Sequence, residues 1–265
     1  MDVTNTERIR KVAGLLRKAG SVLFITGAGI SADSGIPTYR GIGGLYNDRT
    51  TADGIPIETA LAGETLRTRP GITWKYLAQI ENRCRGAKHN RAHEILAGME
   101  ARFERVWVLT QNIDGLHQAA GSKNVIDLHG DMYVILCERC GWRTRVERYE
   151  GFAIPPRCPR CGAAARPDVV FFGEWIPPRK VEMMERALAK PFDVYFSIGT
   201  TSVFPYISQP MVQAAREGRP TVEINPDRTG ISEKVDIRIS LGAAEALEAI
   251  WKALAQDRAM PRFPL

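Results

Sequence analysis

Ser21-Val-Leu-Phe-Ile-Thr-Gly-Ala-Gly-Ile-Ser-Ala32 decides how this chain folds. Its first half is short and apolar, as expected of a strand buried on both faces in a parallel sheet. Its second half has the spacing Gly27-x-Gly29-x-x-Ala32, a dinucleotide-binding fingerprint with alanine at the third position. Gly27 would permit a tight turn, and Gly29 would let the backbone approach a pyrophosphate. Free N–H groups at the start of the next segment would then hold the anion. An ordinary strand-to-helix junction can carry the same spacing, so the turn alone leaves both readings open.

Upstream, Thr6–Ala19 reads as a helix with Ile9, Val12, Ala13, Leu15 and Leu16 on or near one face, and Gly20 ends it. Downstream, Pro37–Pro70 is rich in Gly, Thr, Pro and Asp, with a weak helical pattern around Ile57–Leu66. Helical patterns recur at Trp74–Arg83, His89–Ala101, Pro178–Ala189, Pro205–Glu217 and Ala243–Leu254. Strand patterns recur at Arg105–Thr110, Asn124–Leu128, Asp193–Ile198, Pro220–Ile224 and Val235–Ile239. The alternation predicts an α/β fold, a Rossmann-like parallel sheet with a smaller inserted lobe. The tail from Gln256 reads as a loose end. A dehydrogenase reaches its second strand and a ribose-binding acid about 20 residues past the glycines. Here the loop of Pro37–Pro70 occupies that place, which favours an enzyme that cleaves or remodels a dinucleotide over one that borrows a hydride.

The chain has 265 residues, enough for one large domain with a lobe. With 44% hydrophobic and 25% charged residues it is composed like an ordinary folded protein. The net charge of +6 is scattered, so no dedicated nucleic-acid surface is expected, although a mild positive field favours an anionic cofactor. No stretch is long and apolar enough for a membrane span, and Met1–Lys18 lacks the apolar core of a signal peptide. The expected location is cytoplasmic.

Four of the five cysteines form two Cys-x-x-Cys pairs, Cys137/Cys140 and Cys158/Cys161, with 17 residues between the pairs. That spacing suits a tetrahedral zinc ion held by four thiolates, which leaves no open position and makes the metal structural. Four free thiols or a redox pair are the alternatives, but redox work needs only one pair. Cys84 reads as a bystander in a helix.

Several motifs in a single order settle the reading. They are Gly27-Ala-Gly-Ile-Ser-Ala-Asp-Ser-Gly-Ile-Pro-Thr-Tyr-Arg40, Thr110-Gln-Asn-Ile-Asp114, Leu128-His-Gly130 and the cysteine pairs, then Arg166-Pro-Asp-Val-Val-Phe-Phe-Gly-Glu174, Gly199-Thr-Thr201 and Ile224-Asn-Pro-Asp227. Together they resemble the sirtuin family of NAD-dependent protein deacylases, microbial members in particular, from about Leu15 to Leu254. The resemblance implies a single catalytic domain over 2–258. Its NAD-binding part would comprise 1–38, 86–131 and 168–256, its cofactor-binding loop and helical module 39–85, and its zinc ribbon 132–167.

The resemblance also implies the chemistry. NAD is the co-substrate, one zinc ion is structural, and acylated-lysine proteins are the partners. The acyl oxygen attacks the ribose carbon bearing nicotinamide, and a histidine, here His129, then acts as general base on a ribose hydroxyl. Nicotinamide, free lysine and O-acyl-ADP-ribose result. Asn112 and Asp114 join His129 in the catalytic set, Asn112 holding the ribose hydroxyls and Asp114 the nicotinamide carboxamide. Gln111 lines the same pocket. Gly27, Ala28, Gly29, Tyr39, Arg40, Gly199, Thr200, Asn225 and Ala244 would contact the dinucleotide. Val170 and Phe172 would border the acyl-lysine tunnel, and Gly173 and Glu174 would pair with the substrate backbone as an added strand. Tyr39 stands where most members carry Phe. Leu77 and Ile80 fall where succinyl- and malonyl-preferring members carry a Tyr and an Arg. Two apolar residues there would leave an acyl carboxylate unpaired, so acetyl or longer neutral acyl groups are expected. His89, His93 and His117 are expected on helix surfaces or in packing, and Phe171 and Trp175 in lobe packing. An ADP-ribosyltransferase on the same scaffold and a catalytically silent zinc module are the competing readings.

Overall fold

In the computed structural model, which describes residues 3–38 and 50–256, helix Val3–Lys18 (α1) leads into strand Ser21–Thr26 (β1), every residue of which is buried. A 3-10 helix over Ala28–Ser34 follows. Helices Ile57–Ala60 (α2), Gly63–Thr68 (α3) and Pro70–Cys84 (α4) form a helical module. Helix Arg91–Met99 (α5) brings the chain to strand Arg105–Thr110 (β2), and helix Leu116–Ala119 (α6) to strand Val125–Asp127 (β3). Strands Gly130–Leu136 (β4), Arg143–Arg145 (β5) and Arg166–Val169 (β6) make a small antiparallel sheet in the order β5-β4-β6. Helix Pro178–Leu188 (α7), strand Val194–Ile198 (β7), helix Pro205–Arg216 (α8), strands Thr221–Ile224 (β8) and Ile237–Ile239 (β9) and helix Ala243–Gln256 (α9) complete the chain.

The large sheet is parallel throughout, with the order β3-β2-β1-β7-β8-β9. β2 and β3 run outward on one side of β1 and β7, β8 and β9 on the other, the doubly wound arrangement of dinucleotide-binding domains. Alternation along β1 sorts the two faces. Val22 and Phe24 join the core under α1, α5 and α9, while Leu23 and Ile25 join the one under α7 and α8. The helical module enters between the first and second strands, and the small sheet between the third and the fourth.

Two stretches differ from the sequence reading. The helical stretch expected around Ile57–Leu66 is present as α2 and α3, but α4 starts at Pro70, ahead of the expected Trp74, because proline's missing N–H costs nothing at the first helical position. Strands β4 and β6 were not anticipated; they alternate between buried and half-buried residues, and β4 carries an irregularity between Asp131 and Ile135 that breaks its period. Their cores merge with the module: Trp74, Leu77 and Ile80 pack with Met132, Ile135 and Phe171. Phe171 is buried as expected. Trp175 is not: at 94% exposed it packs against nothing, because it lies past the turn at Gly173 and outside the lobe. Among the described residues no helix is long and apolar enough to cross a membrane.

Candidate active site

The turn after β1 meets the turn after β7. Gly29 N donates to Gly199 O at 2.8 Å, and Gly27 N to Ile198 O at 3.1 Å. A Cβ on Gly29 would lie 2.6 Å from the Gly199 Cα, so at Gly29 the two loops touch backbone to backbone. The glycines are therefore required first by each other. Gly27 itself is extended, with φ −130°. The expected row of free helix-start amides is only partly there, because a 3-10 segment follows and the Gly27, Gly29 and Ile30 amides are bonded inside the protein. This seam lies between β1 and β7, where the winding of the sheet reverses, and ligands of such sheets bind in that crevice.

The segment after β2 reaches the same place. Asn112 Nδ2 donates to Gly27 O at 3.1 Å and to Ser31 Oγ at 3.3 Å, and the Ser31 hydroxyl donates to Asp114 Oδ2 at 2.7 Å. The other Asp114 oxygen accepts from Leu116 N at 3.0 Å. Burial pushes the Asp114 carboxyl up, while the Leu116 and Ser31 bonds pull it back only in part. Gln111 Nε2 donates to Thr200 Oγ1 at 2.7 Å, and Asn225 Nδ2 to Thr200 O at 3.2 Å. Gln111, Gly199, Thr200 and Asn225 thus form one polar wall. Ser202, next along, holds a left-handed backbone with φ 55°, uncommon for a residue with a side chain. The Ala244 amide is bonded to Asp33 Oδ2 at 3.1 Å, so in this arrangement it is not available to a ligand.

A narrow cavity joins these groups to the helical module. Ala28, Ser31, Ile36, Pro37, Ile80, Cys84, Asn112, Ile113, Asp114 and Met132 line it. Ile80 is therefore on the wall, whereas Leu77, also buried, does not line this cavity. Cys84 is no bystander in position, though burial pushes its thiol up to about 12, so it stays a protonated, apolar wall group. Tyr39 and Arg40 lie outside the described residues.

His129 follows β3, and its carbonyl accepts from Val170 N at 2.9 Å. The next residue, Gly130, has φ 94°, and a Cβ there would overlap the Asp168 carbonyl at 1.8 Å, so only glycine lets the chain turn into β4 behind the histidine. The His129 Nε2 lies 2.7 Å from the Tyr206 hydroxyl. Burial drives its pKa down to about 4; a backbone bond to Gln111 opposes this and Lys180 reinforces it. The imidazole is accordingly neutral at pH 7, as a base must be.

Phe172 and the helical module are stitched together. Phe172 N donates to Leu61 O at 3.1 Å and Gly63 N to Phe172 O at 3.0 Å. Arg166 grips Glu174 with two bonds of 2.8 and 2.7 Å, and a Glu174 oxygen also accepts from Phe171 N at 3.0 Å. Burial raises the Glu174 carboxyl, but Arg166 and the Phe171 amide outweigh it and hold it below its usual range. The Glu174 side chain is thus spent inside the protein, and its amide is bonded to Phe171 O at 3.0 Å, so in this arrangement that N–H is not available to a partner. Val170 is half-buried, and Phe172 and Gly173 are exposed.

Cys137, Cys140, Cys158 and Cys161 come together with all four sulfurs within 4.8 Å of one another. Matching knuckles hold them: Gly141 N donates to Cys137 O and Gly162 N to Cys158 O, both at 2.9 Å. Tetrahedral zinc–thiolate bonds of about 2.3 Å place sulfurs about 3.8 Å apart, so the set fits that ion. No carboxylate or imidazole joins the group among the described residues, as a closed structural site requires.

Sequence reasoning missed Ser31, which lies inside the quoted motif but shows its role only through Asn112 and Asp114. It also missed Met132 and Tyr206, which reach the site from distant segments. His93 and His117 are buried, with rings 4.9 Å apart, and His117 Nε2 lies 2.9 Å from Thr26 Oγ1; His89 is on the surface. These three serve packing and surface, as read.

The model of the Sir2 family matches residues 27–205. An NAD-dependent protein deacylase 2 of Pseudomonas aeruginosa is 44% identical over 245 residues, covering 91% of this chain and 95% of that protein. A Sir2 homologue variant in complex with ADP-ribose superposes with a TM-score of 0.85 at 31% identity, over 99% of this chain and 100% of the other. A Sir2–p53 peptide–NAD+ complex superposes with a TM-score of 0.78 at 28% identity, over 92% and 97% of the two chains.

Proposed function

Because this chain belongs to the Sir2, or sirtuin, family, we infer that it is an NAD-dependent protein lysine deacylase, cytoplasmic and acting on acylated-lysine proteins. The observation that carries the reading is the convergence of the Gly29–Gly199 seam, the Asn112–Ser31–Asp114 chain and His129 at one end of the parallel sheet. NAD is consumed as a substrate, supplying an ADP-ribosyl unit to the acyl oxygen of the lysine as nicotinamide leaves. Gly27, Ala28, Gly29, Gly199, Thr200 and Asn225 would hold the dinucleotide, with Tyr39 and Arg40 approaching from the loop. The Ala244 contact requires its bond to Asp33 to open. Asn112 would orient the ribose hydroxyls, and Asp114, with Ser31 fixing its carboxyl, the carboxamide. Neutral His129 then takes the proton of a ribose hydroxyl.

The zinc ion held by the four cysteines supplies folding, not chemistry. Val170 and Phe172 would enclose the acyl-lysine, and Gly173 and Glu174 would bond its backbone, the Glu174 amide only once its bond to Phe171 O opens. The two insertions described above support the division of the chain into an NAD-binding part, a helical module and a zinc ribbon. Ile80, on the cavity wall, offers no charge to an acyl carboxylate, which supports acetyl or longer neutral acyl groups; Leu77, off that wall, does not bear on it.

The test is incubation of the protein with NAD and peptides carrying acetyl-, longer neutral acyl- or succinyl-lysine, with mass detection of O-acyl-ADP-ribose. Nicotinamide release should require an acyl-lysine peptide, and acetyl-lysine should give the higher kcat/KM than succinyl-lysine. Peptide-independent release with label transferred to protein would replace this reading with ADP-ribosyl transfer. Greater efficiency on succinyl-lysine would overturn the acyl preference.

A further inference from the structure

Tyr206 stands in the first turn of α8, behind Pro205 and 77 residues from His129 in sequence. Its hydroxyl is 2.7 Å from His129 Nε2, with the two rings at 80°. Phe204 holds it from the other side: the Phe204 and Tyr206 rings stack at 5.5 Å and 14°, and Phe204 also meets His129 edge-on at 6.1 Å. The phenol is therefore clamped in place, and one histidine nitrogen is already engaged before any ligand arrives.

A neutral imidazole has one N–H and one lone pair, and the partner of each nitrogen decides which is which. The Gln111 backbone bonds the His129 ring in the sense that favours the protonated form, the mark of a carbonyl accepting a ring N–H. With Nε2 facing Tyr206, that N–H is on Nδ1. Burial pushes the Tyr206 phenol up to about 12, so its hydroxyl keeps its proton and can donate it. Nε2 is then the acceptor, and the base nitrogen is the one turned to Tyr206.

We propose that Tyr206 is a positioning residue for His129: its O–H holds the waiting imidazole as the Nδ1–H tautomer, and the phenol then yields the Nε2 lone pair to the ribose hydroxyl whose proton His129 takes. The proposal rests on the deacylase reading for its consequence, but not for its geometry. In that reaction His129 acts only after nicotinamide has left. Tyr206 should therefore matter to the second half of the reaction and not to the first.

The Tyr206→Phe variant removes the hydroxyl and keeps the ring that stacks on Phe204. We expect it to exchange labelled nicotinamide into NAD, with acetyl-lysine peptide present, at the wild-type rate. O-acetyl-ADP-ribose formation should fall about three- to tenfold, the scale of one neutral hydrogen bond, in kcat and not in KM. Unchanged product formation would overturn the proposal, as would a parallel loss of exchange and turnover, which marks a binding or folding role. A second measurement needs no activity. The protein has four histidines, so long-range proton–nitrogen spectra of the rings can be assigned at neutral pH. Wild-type His129 should show the Nδ1–H form alone, and the variant a mixture. A single, unchanged tautomer in the variant would overturn the proposal. If the wild-type protein neither exchanged nicotinamide nor formed product, the deacylase reading would fail while the spectra still decided the role of Tyr206.

Discussion

Phe24 and Phe196 lie side by side on neighbouring strands, fully buried with ring centroids 5.1 Å apart, in a core that three helices close over. Around the four cysteines the picture is the reverse. Strand β5 exposes the side chains of Arg143 and Arg145, most of the residues between the cysteine pairs are exposed or half-buried, and the nearest apolar cluster reaches the knuckles only through its partly buried fringe at Trp142. One region is held by excluded water and close packing, the other by a metal it must recruit. The base of the small lobe belongs to the first kind, since Met132, Ile135 and Tyr149 pack with the helical module. Only its tip depends on zinc.

The largest effect should come from the tip. Structural zinc sites of this type contribute on the order of 10–16 kcal/mol of binding energy to folding. Cys158→Ser should lose stoichiometric zinc by metal analysis and open residues 137–161 to protease, while circular dichroism keeps the signal of the parallel sheet. Collapse of the whole chain in a single step would show that the two regions are not separately held. Next, Phe196→Ala should lower stability by about 3–5 kcal/mol in a urea titration while zinc content stays whole. Metal loss from that variant at low urea would break the distinction from the other side.

Gly29→Ala tests a third kind of packing, backbone on backbone. The added methyl has no flexible neighbour to displace, so we expect a loss of about 1–3 kcal/mol. NAD should also stop raising the melting temperature. Retained stabilisation by NAD would mean that the seam is not its phosphate site.

The last comparison separates the regions by pH. Burial holds His93 at about 4 and His117 at about 3, against an ordinary 6.5. Below pH 6.5 the unfolded chain takes up protons that the folded one refuses, so stability falls with pH and the loss levels off only near those lower values. Both histidines pack beside the large sheet, so zinc-free Cys158→Ser should keep this acid sensitivity in its melting temperature between pH 7 and 4.5. A flat profile in that variant would move the effect to the cysteines, whose thiolates also take up protons as acid displaces the metal.

The parallel strands were legible because burial on both faces writes continuous apolar runs, as in Ser21–Thr26. The cysteine spacing and His129 were legible because motif and chemistry coincide. Strands β4 and β6 were not, since one face meets the helical module and the other meets water or charge, and the irregularity at Asp131–Ile135 breaks the alternation. Tyr206 left no local trace. It looks like any aromatic residue at a helix start, and only the fold brings it to His129. Trp175 misled because a large apolar side chain next to a motif suggests packing, whereas the backbone there has already left the lobe.

The bonds between Phe172 and the Leu61–Gly63 segment have a mechanical consequence. They tie the outer arm of one insertion to the outer arm of the other, and the Glu174 side chain, gripped by Arg166, fills the space above Gly63 where any Cβ would sit. Hinging one insertion without the other would have to break these bonds and open the core the two share, so the pair is built to move together.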